Sequence, residues 1–142
     1  MNIVLAFLLF VGVGAISVVH ALWGLGSTWP EANEEALARG VVGNGRKRMP
    51  PPWQCFAVAI LLGLVALWPW YVLGRSSEPA VLTGTFAIAG AFVARGWAGY
   101  SPRWRSIFYD EPFARRDKRY YSPYSLLLGV SYLALLAGEM DR

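Results

Sequence analysis

His20 is the one histidine of the chain, and it lies in a stretch of the sequence that carries no charge. An imidazole can serve as a general base, a proton carrier or a metal ligand near neutral pH. A single histidine excludes a multi-histidine metal site within one chain, and a haem held by two histidines would need a second chain. A polar side chain in an apolar segment also needs a partner. We therefore expect a neutral, hydrogen-bonded His20, with a functional role as the alternative.

A second group of reactive side chains lies in the segment 101–122, where basic residues are mixed with aromatic ones. This composition could stack the bases of single-stranded nucleic acid. It is also typical of the belt that a membrane protein forms at the headgroups, and we favour that interpretation and expect no nucleic-acid partner. The end of the first apolar stretch and the segment 101–122 together supply the candidate ligand or polar site. Its residues are His20, Trp23, Arg115, Arg116, Asp117, Tyr120 and Tyr121.

Sequence motifs for common cofactors and catalytic centres are absent. The chain has no Walker, Rossmann, Cys-x-x-Cys, His-Glu-x-x-His or Gly-x-Ser-x-Gly pattern. Cys55 is the only cysteine, so an intrachain disulfide is impossible, and its spacing from Ala59 and Gly63 predicts a packing role. We therefore predict no cofactor, no metal and no catalytic residues.

Four apolar stretches must position these side chains: 3–24, 53–73, 80–100 and 123–138. About twenty residues at about 1.5 Å each cross a hydrocarbon layer about 30 Å thick. Hydrophobic residues make up 56% of the chain and charged residues 15%. The sequence predicts an all-α protein, an antiparallel bundle of four transmembrane helices in one integral membrane domain, 1–142. Only Met1 and Asn2 precede the first stretch, without the basic region of a signal peptide, so we expect that helix to be retained.

The polar segment after the first helix predicts a short surface helix over 29–39. Thr28 and Glu31 have the spacing of a capping box, and Pro30 suits a first turn. The basic cluster 46–48 and three prolines follow, an extended lead-in that faces the lipid headgroups.

Small residues recur at helical spacing and predict where helices pack closely. The stripe on the third long helix is the most continuous and makes it the candidate central helix; it contains Gly84, Ala87, Ala91, Ala94 and Ala98. Such faces could also join copies of this chain or another subunit. Arg95, near the end of the same helix, is expected to extend to the headgroups, and Pro69 predicts a kink or an early exit of the second.

Basic residues lie mainly in the first and third connecting segments, and the opposite side carries only Arg75 and Arg142. The positive-inside rule then predicts both long segments, and the surface helix, in the cytoplasm and both termini outside it.

Two stretches resemble a family of small bacterial four-helix membrane proteins catalogued as domain of unknown function 3995. They are 20–26, His-Ala-Leu-Trp-Gly-Leu-Gly, and 113–123, Phe-Ala-Arg-Arg-Asp-Lys-Arg-Tyr-Tyr-Ser-Pro. The resemblance implies a four-helix membrane fold, and it supplies no reaction and no catalytic residues.

Three functions are compatible with these patterns. The leading hypothesis is a non-enzymatic membrane protein, either an accessory subunit or a binder of a lipid or another apolar small molecule. The second is a membrane enzyme acting on a lipid or sterol-like substrate, for which acid–base groups must lie within reach of each other. The third is a proton or solute conductor, which the scarcity of acidic residues within the spans disfavours.

Overall fold

The computed structural model describes residues 2–141, which are helical with short connections and contain no strand. The helices are α1 (Asn2–Gly24), α2 (Glu34–Val41), α3 (Pro52–Val72), α4 (Pro79–Ala98), α5 (Pro102–Ile107), α6 (Phe113–Arg116) and α7 (Ser122–Met140). A single π-helical turn, Asp117–Tyr121, joins α6 to α7.

Four helical spans are long and apolar enough to cross a membrane: Asn2–Gly24, Pro52–Val72, Pro79–Ala98 and Phe113–Met140. This confirms the predicted all-α class and the number of spans, and it suggests a multi-pass membrane protein. Their outer faces carry exposed Leu, Ile and Phe side chains, as lipid contact requires.

The last span begins at Phe113, ten residues before the predicted start at Pro123. The backbone N–H of Ser122 donates to the carbonyl of Asp117, five residues earlier, which is the π-helical pattern. The helix therefore reaches Pro123 without a break, and the proline falls in the first turn of α7. The sequence did not predict the helical segment 113–122, because its side chains are mostly polar and show no apolar periodicity.

The predicted surface helix exists, but it covers Glu34–Val41 rather than 29–39. Asn33 caps it by accepting a hydrogen bond from the N–H of Ala36 at 2.9 Å. The capping box predicted at Thr28 is wrong, because the carboxylate of Glu31 instead accepts a hydrogen bond from Arg116.

α1 packs mainly on α3, and α4 packs mainly on α7. Ser17 Oγ donates to the carbonyl of Ala59 at 2.7 Å, and the Phe10 and Trp70 rings lie 6.2 Å apart. On the other pair, a Cβ added to Gly129 would lie 2.9 Å from the carbonyl oxygen of Ala89. Backbones therefore approach closely where small residues face each other.

The small-residue stripe predicted for α4 is not its packing face. Ala87, Ala91 and Ala94 are exposed, whereas Thr85 and Ala89 are buried. The prediction failed because alanines occur all round this helix, so their spacing alone could not select the buried side. Pro69 is buried inside α3, which continues to Val72.

A buried carboxylate joins three helix ends on the side away from the long connections. Glu139 accepts hydrogen bonds from the side chain of Asn2 at 2.6 Å and from the N–H of Gly74 at 2.8 Å. The carboxylate therefore ties the ends of α1, α3 and α7 together.

Candidate functional site

A cavity of about 620 Å³ lies between the four spans at the end where the long connections meet. Its volume is in the range of small-molecule sites. Its walls are mainly apolar, and the residues that line it are Gly12, Ala15, Ile16, Val19, His20, Trp23, Trp29, Pro30, Val41, Val58, Leu62, Phe92, Arg95, Phe113, Tyr121, Tyr124 and Ser125.

Aliphatic and aromatic side chains from several helices form much of the cavity wall. Ile16, Leu62 and Phe92 come from α1, α3 and α4. A Cβ added to Gly12 would lie 2.6 Å from the Tyr124 hydroxyl, so the glycine makes room for that ring. From Gly12 to Trp23 the wall follows α1 for about 16 Å, at about 1.5 Å per residue.

His20 lies on the cavity wall, half-buried. Its Nδ1 is 2.9 Å from the carbonyl oxygen of Ile16, and its ring lies 4.9 Å from that of Trp23. A carbonyl oxygen can only accept a hydrogen bond, so Nδ1 carries the proton. In the neutral imidazole, Nε2 is then the unprotonated nitrogen, and it can accept a proton or a hydrogen bond.

Arg95 is the cation of the cavity wall, and it turns inward instead of extending to the headgroups as predicted. Its Nη2 donates to Oδ1 of Asp117 at 2.6 Å, and its Nη1 donates to Ser122 Oγ at 3.4 Å. The guanidinium carbon also lies 4.5 Å from the ring centroid of Trp104, a cation–π distance. The ion pair with the buried carboxylate of Asp117 thus holds Arg95 at the cavity wall.

Asp117 lies behind Arg95 and is 1% exposed. Its second oxygen accepts from the indole N–H of Trp104 at 3.0 Å, and Ser122 Oγ donates to the first at 3.2 Å. Both oxygens of the carboxylate are therefore engaged, whereas Arg95, with five N–H donors, has donors left for a ligand.

The first long connection covers this end of the cavity and is fastened to the last span. Arg116 pairs with Glu31 at 2.5 Å, and the Tyr121 hydroxyl donates to the carbonyl of Gly40 at 3.3 Å. Gly43, at a φ of 71°, lies against the ring of Phe113, where any Cβ would clash. The cover is thus held by specific contacts with the helix that also supplies Tyr121.

The residues predicted as a site separate into three groups. His20, Trp23 and Tyr121 line the cavity. Arg116 and Asp117 support it through Glu31 and Arg95. Arg115 and Tyr120 are exposed and do not line it.

The predicted ligand or polar site did not include Arg95, Tyr124 and Ser125, which line the cavity. The position of Arg95 was the available signal, because a charge inside an apolar span indicates a functional or paired residue. The span itself has no acidic residue, so a partner had to come from a neighbouring segment. In the part of the chain that the structure describes, no group of three or more His, Cys, Asp or Glu residues could hold a metal ion.

Fold and site together define a class: a small helical protein with four membrane-length spans and a mainly apolar cavity between them. The chain belongs to the family described as "Protein of unknown function (DUF3995)", whose profile matches residues 13–132. This confirms the resemblance given by the two motifs. No curated protein and no solved structure matches the chain.

Proposed function

We propose that this chain is an integral membrane protein that binds a lipid or another apolar small molecule in the cavity between its spans. The observation that carries the proposal is the cavity itself, about 620 Å³ with aliphatic and aromatic walls. About twenty water-sized groups, at about 30 Å³ each, have that volume. Ala15 and Val58 line the cavity and are also exposed at the side of the bundle. The ligand would therefore enter from the acyl-chain region of the membrane.

We also propose that the spans form an antiparallel bundle with the two long connections in the cytoplasm. The order of contacts supports it: Phe10 lies near Trp70, and Gly24 lies near Phe56. Charge supports the orientation. Exposed basic side chains cluster at the cavity end, at Arg46, Lys47, Arg48, Arg103, Arg115, Lys118 and Arg119, whereas Arg75 at the other end pairs with Glu78.

Photolabelling of the purified full chain in lipid nanodiscs with a neutral, diazirine-bearing fatty alcohol tests the binding proposal. We expect adducts on the cavity-lining residues Ile16 and Leu62 in preference to Leu61 and Leu64, which face outward. Adducts distributed evenly over the outward-facing residues would contradict the proposal.

A matched pair of variants tests whether the labelled alcohol binds inside the cavity. Ala15→Phe fills part of the cavity, and we expect it to lower the adducts at least five-fold. Ala91→Phe adds the same ring to an exposed alanine away from the cavity and should leave them unchanged. Equal labelling of the two variants would show that the alcohol binds elsewhere.

A lipid-modifying enzyme is the second candidate, favoured by one observation. The imidazole of His20 and the hydroxyl of Tyr124 line the same cavity, so a base and an acid face a common ligand. Incubation of the chain with a total lipid extract, followed by mass spectrometry, should reveal a product that His20→Asn no longer forms. An unchanged lipid profile would remove this candidate.

A further inference from the structure

The polar residues of the cavity specify the head of its ligand, if the cavity binds an apolar molecule as proposed. Among the lining residues, Arg95 carries a positive charge, His20 is a base, and none is a carboxylate. The carboxylate of Asp117 lies behind Arg95 and already accepts three hydrogen bonds. The wall thus offers donors and one base to a ligand and no competing anion.

The other polar lining groups are five neutral donors: the hydroxyls of Tyr121, Tyr124 and Ser125 and the indole N–H groups of Trp23 and Trp29. Three of them are engaged within the protein, and the Trp23 N–H donates to the carbonyl of Trp29 at 2.8 Å. Ser125 Oγ donates to the carbonyl of Tyr121 at 2.9 Å, and the Tyr121 hydroxyl donates to Gly40. The cavity therefore has one strong acceptor for a ligand proton, Nε2 of His20, and one strong donor for a ligand oxygen, the guanidinium of Arg95.

We propose that the ligand is a long-chain carboxylic acid of the fatty-acid class, with its carboxyl group between His20 and Arg95. On binding, the acid O–H bond breaks and its proton forms an N–H bond at Nε2 of His20. The resulting carboxylate accepts hydrogen bonds from Arg95, and imidazolium and Asp117 complete a neutral set of two cations and two anions. A buried charge is tolerated only when it is paired in this way.

The apolar wall fits the remainder of such a molecule. Beyond the head at His20, the wall follows α1 for about 12 Å, as far as Gly12. A single chain suits this elongated space better than the two chains of a phospholipid. Ile16, Leu62 and Phe92 would contact the methylenes, each of which contributes about 0.8 kcal/mol when it leaves water.

Competition against the photoreactive alcohol tests this assignment in nanodiscs. We expect palmitate to displace the alcohol at a concentration at least ten-fold lower than methyl palmitate, which has the same chain and no acidic proton. Equal competition by acid and ester would overturn the fatty-acid assignment and leave the proposed apolar binding intact. Failure of the alcohol itself to label the cavity would instead overturn the proposed function.

Variants of the two head-binding groups complete the test. His20→Asn keeps an amide donor for the carbonyl of Ile16 but has no base. The pair Arg95→Gln with Asp117→Asn removes both charges together, so no buried charge is left unpaired. We expect each to reduce the advantage of palmitate at least five-fold while the alcohol still labels the cavity.

The matched control is the pair Arg39→Gln with Asp110→Asn, which removes an ion pair of 3.4 Å outside the cavity lining. It should leave the advantage of palmitate unchanged. An equal loss in the control and in the Arg95 and Asp117 pair would show a general effect of surface charge and would overturn the assignment. Thermal labelling of buried Cys55 verifies that each variant is folded.

Discussion

Two carboxylates near the cavity end differ sharply in their burial and in the contacts they make. Asp117 is buried and receives three hydrogen bonds, whereas Asp110 forms a single longer ion pair with Arg39, whose side chain is 49% exposed. Coulombic and hydrogen-bond energies increase as water is excluded, and exposed pairs contribute little. The local surroundings, rather than the type of residue, decide the energetic importance of each aspartate.

Asp117→Asn is therefore expected to lower the free energy of unfolding by about 2–3 kcal/mol, because it removes the charge that pairs with Arg95 and keeps the shape. Asp110→Asn is the control and should cost about 0–1 kcal/mol. The measurement is the temperature at which Cys55, 5% exposed in the folded chain, reacts with a thiol-specific fluorophore. Equal losses in the two variants would contradict the buried role of Asp117.

At the scale of elements, α4 and α7 pack through positions where a side chain is missing. A Cβ on Gly129 would lie 2.9 Å from the carbonyl oxygen of Ala89, whereas one on Gly90 meets nothing within 4 Å. Gly129→Ala should therefore force the two helices apart and cost about 1–3 kcal/mol. Gly90→Ala should be neutral or should stabilise by about 0.5–1 kcal/mol through helix propensity. Thermal unfolding of both variants in one detergent provides the comparison, and a stabilising Gly129→Ala would contradict the close packing.

The first long connection depends on a glycine in the same way. Gly43 and Gly74 both have a positive φ, 71° and 74°, but a Cβ clashes with Phe113 only at Gly43. Alanine in this region of φ costs about 1–2 kcal/mol at either position. Gly43→Ala should cost more than Gly74→Ala and should also release the cover, so limited proteolysis should cut the segment 44–50 faster. Unchanged proteolysis in Gly43→Ala would show that this glycine does not hold the cover in place.

Regular apolar segments were predictable from sequence, and the cavity was not. A continuous apolar run of membrane length predicts a spanning helix. The helices α1, α3 and α4 begin and end within two residues of the expected positions. The pairing of Arg95 with Asp117 joins residues 22 positions apart and depends on a π-helical turn that no sequence period reveals. Arg116 and Glu31 lie 85 positions apart, and their contact depends on how the two connections fold over the cavity. Side chains fixed by tertiary contacts therefore stayed beyond prediction.

At the scale of the whole molecule, the distribution of charge predicts how the chain lies in the membrane. The cavity end carries exposed cations, including Lys47, whereas the turn between α3 and α4 contains Ser77 between the paired Arg75 and Glu78. We expect Lys47→Cys to react with a membrane-impermeant maleimide only after the cells are permeabilised, and Ser77→Cys to react in intact cells.

Cys55 is buried and is replaced by alanine in both variants, and the Cys55→Ala chain without a further change is the blank. The reverse pattern would invert the proposed orientation, and labelling of both positions in intact cells would contradict the single crossing, α3, that lies between them. The orientation also decides which leaflet supplies the cavity, because Trp23, Trp29 and Tyr121 lie at the same end as Lys47. With that end inside, the head of a bound acid lies at the cytoplasmic leaflet, and its chain points toward the centre of the bilayer.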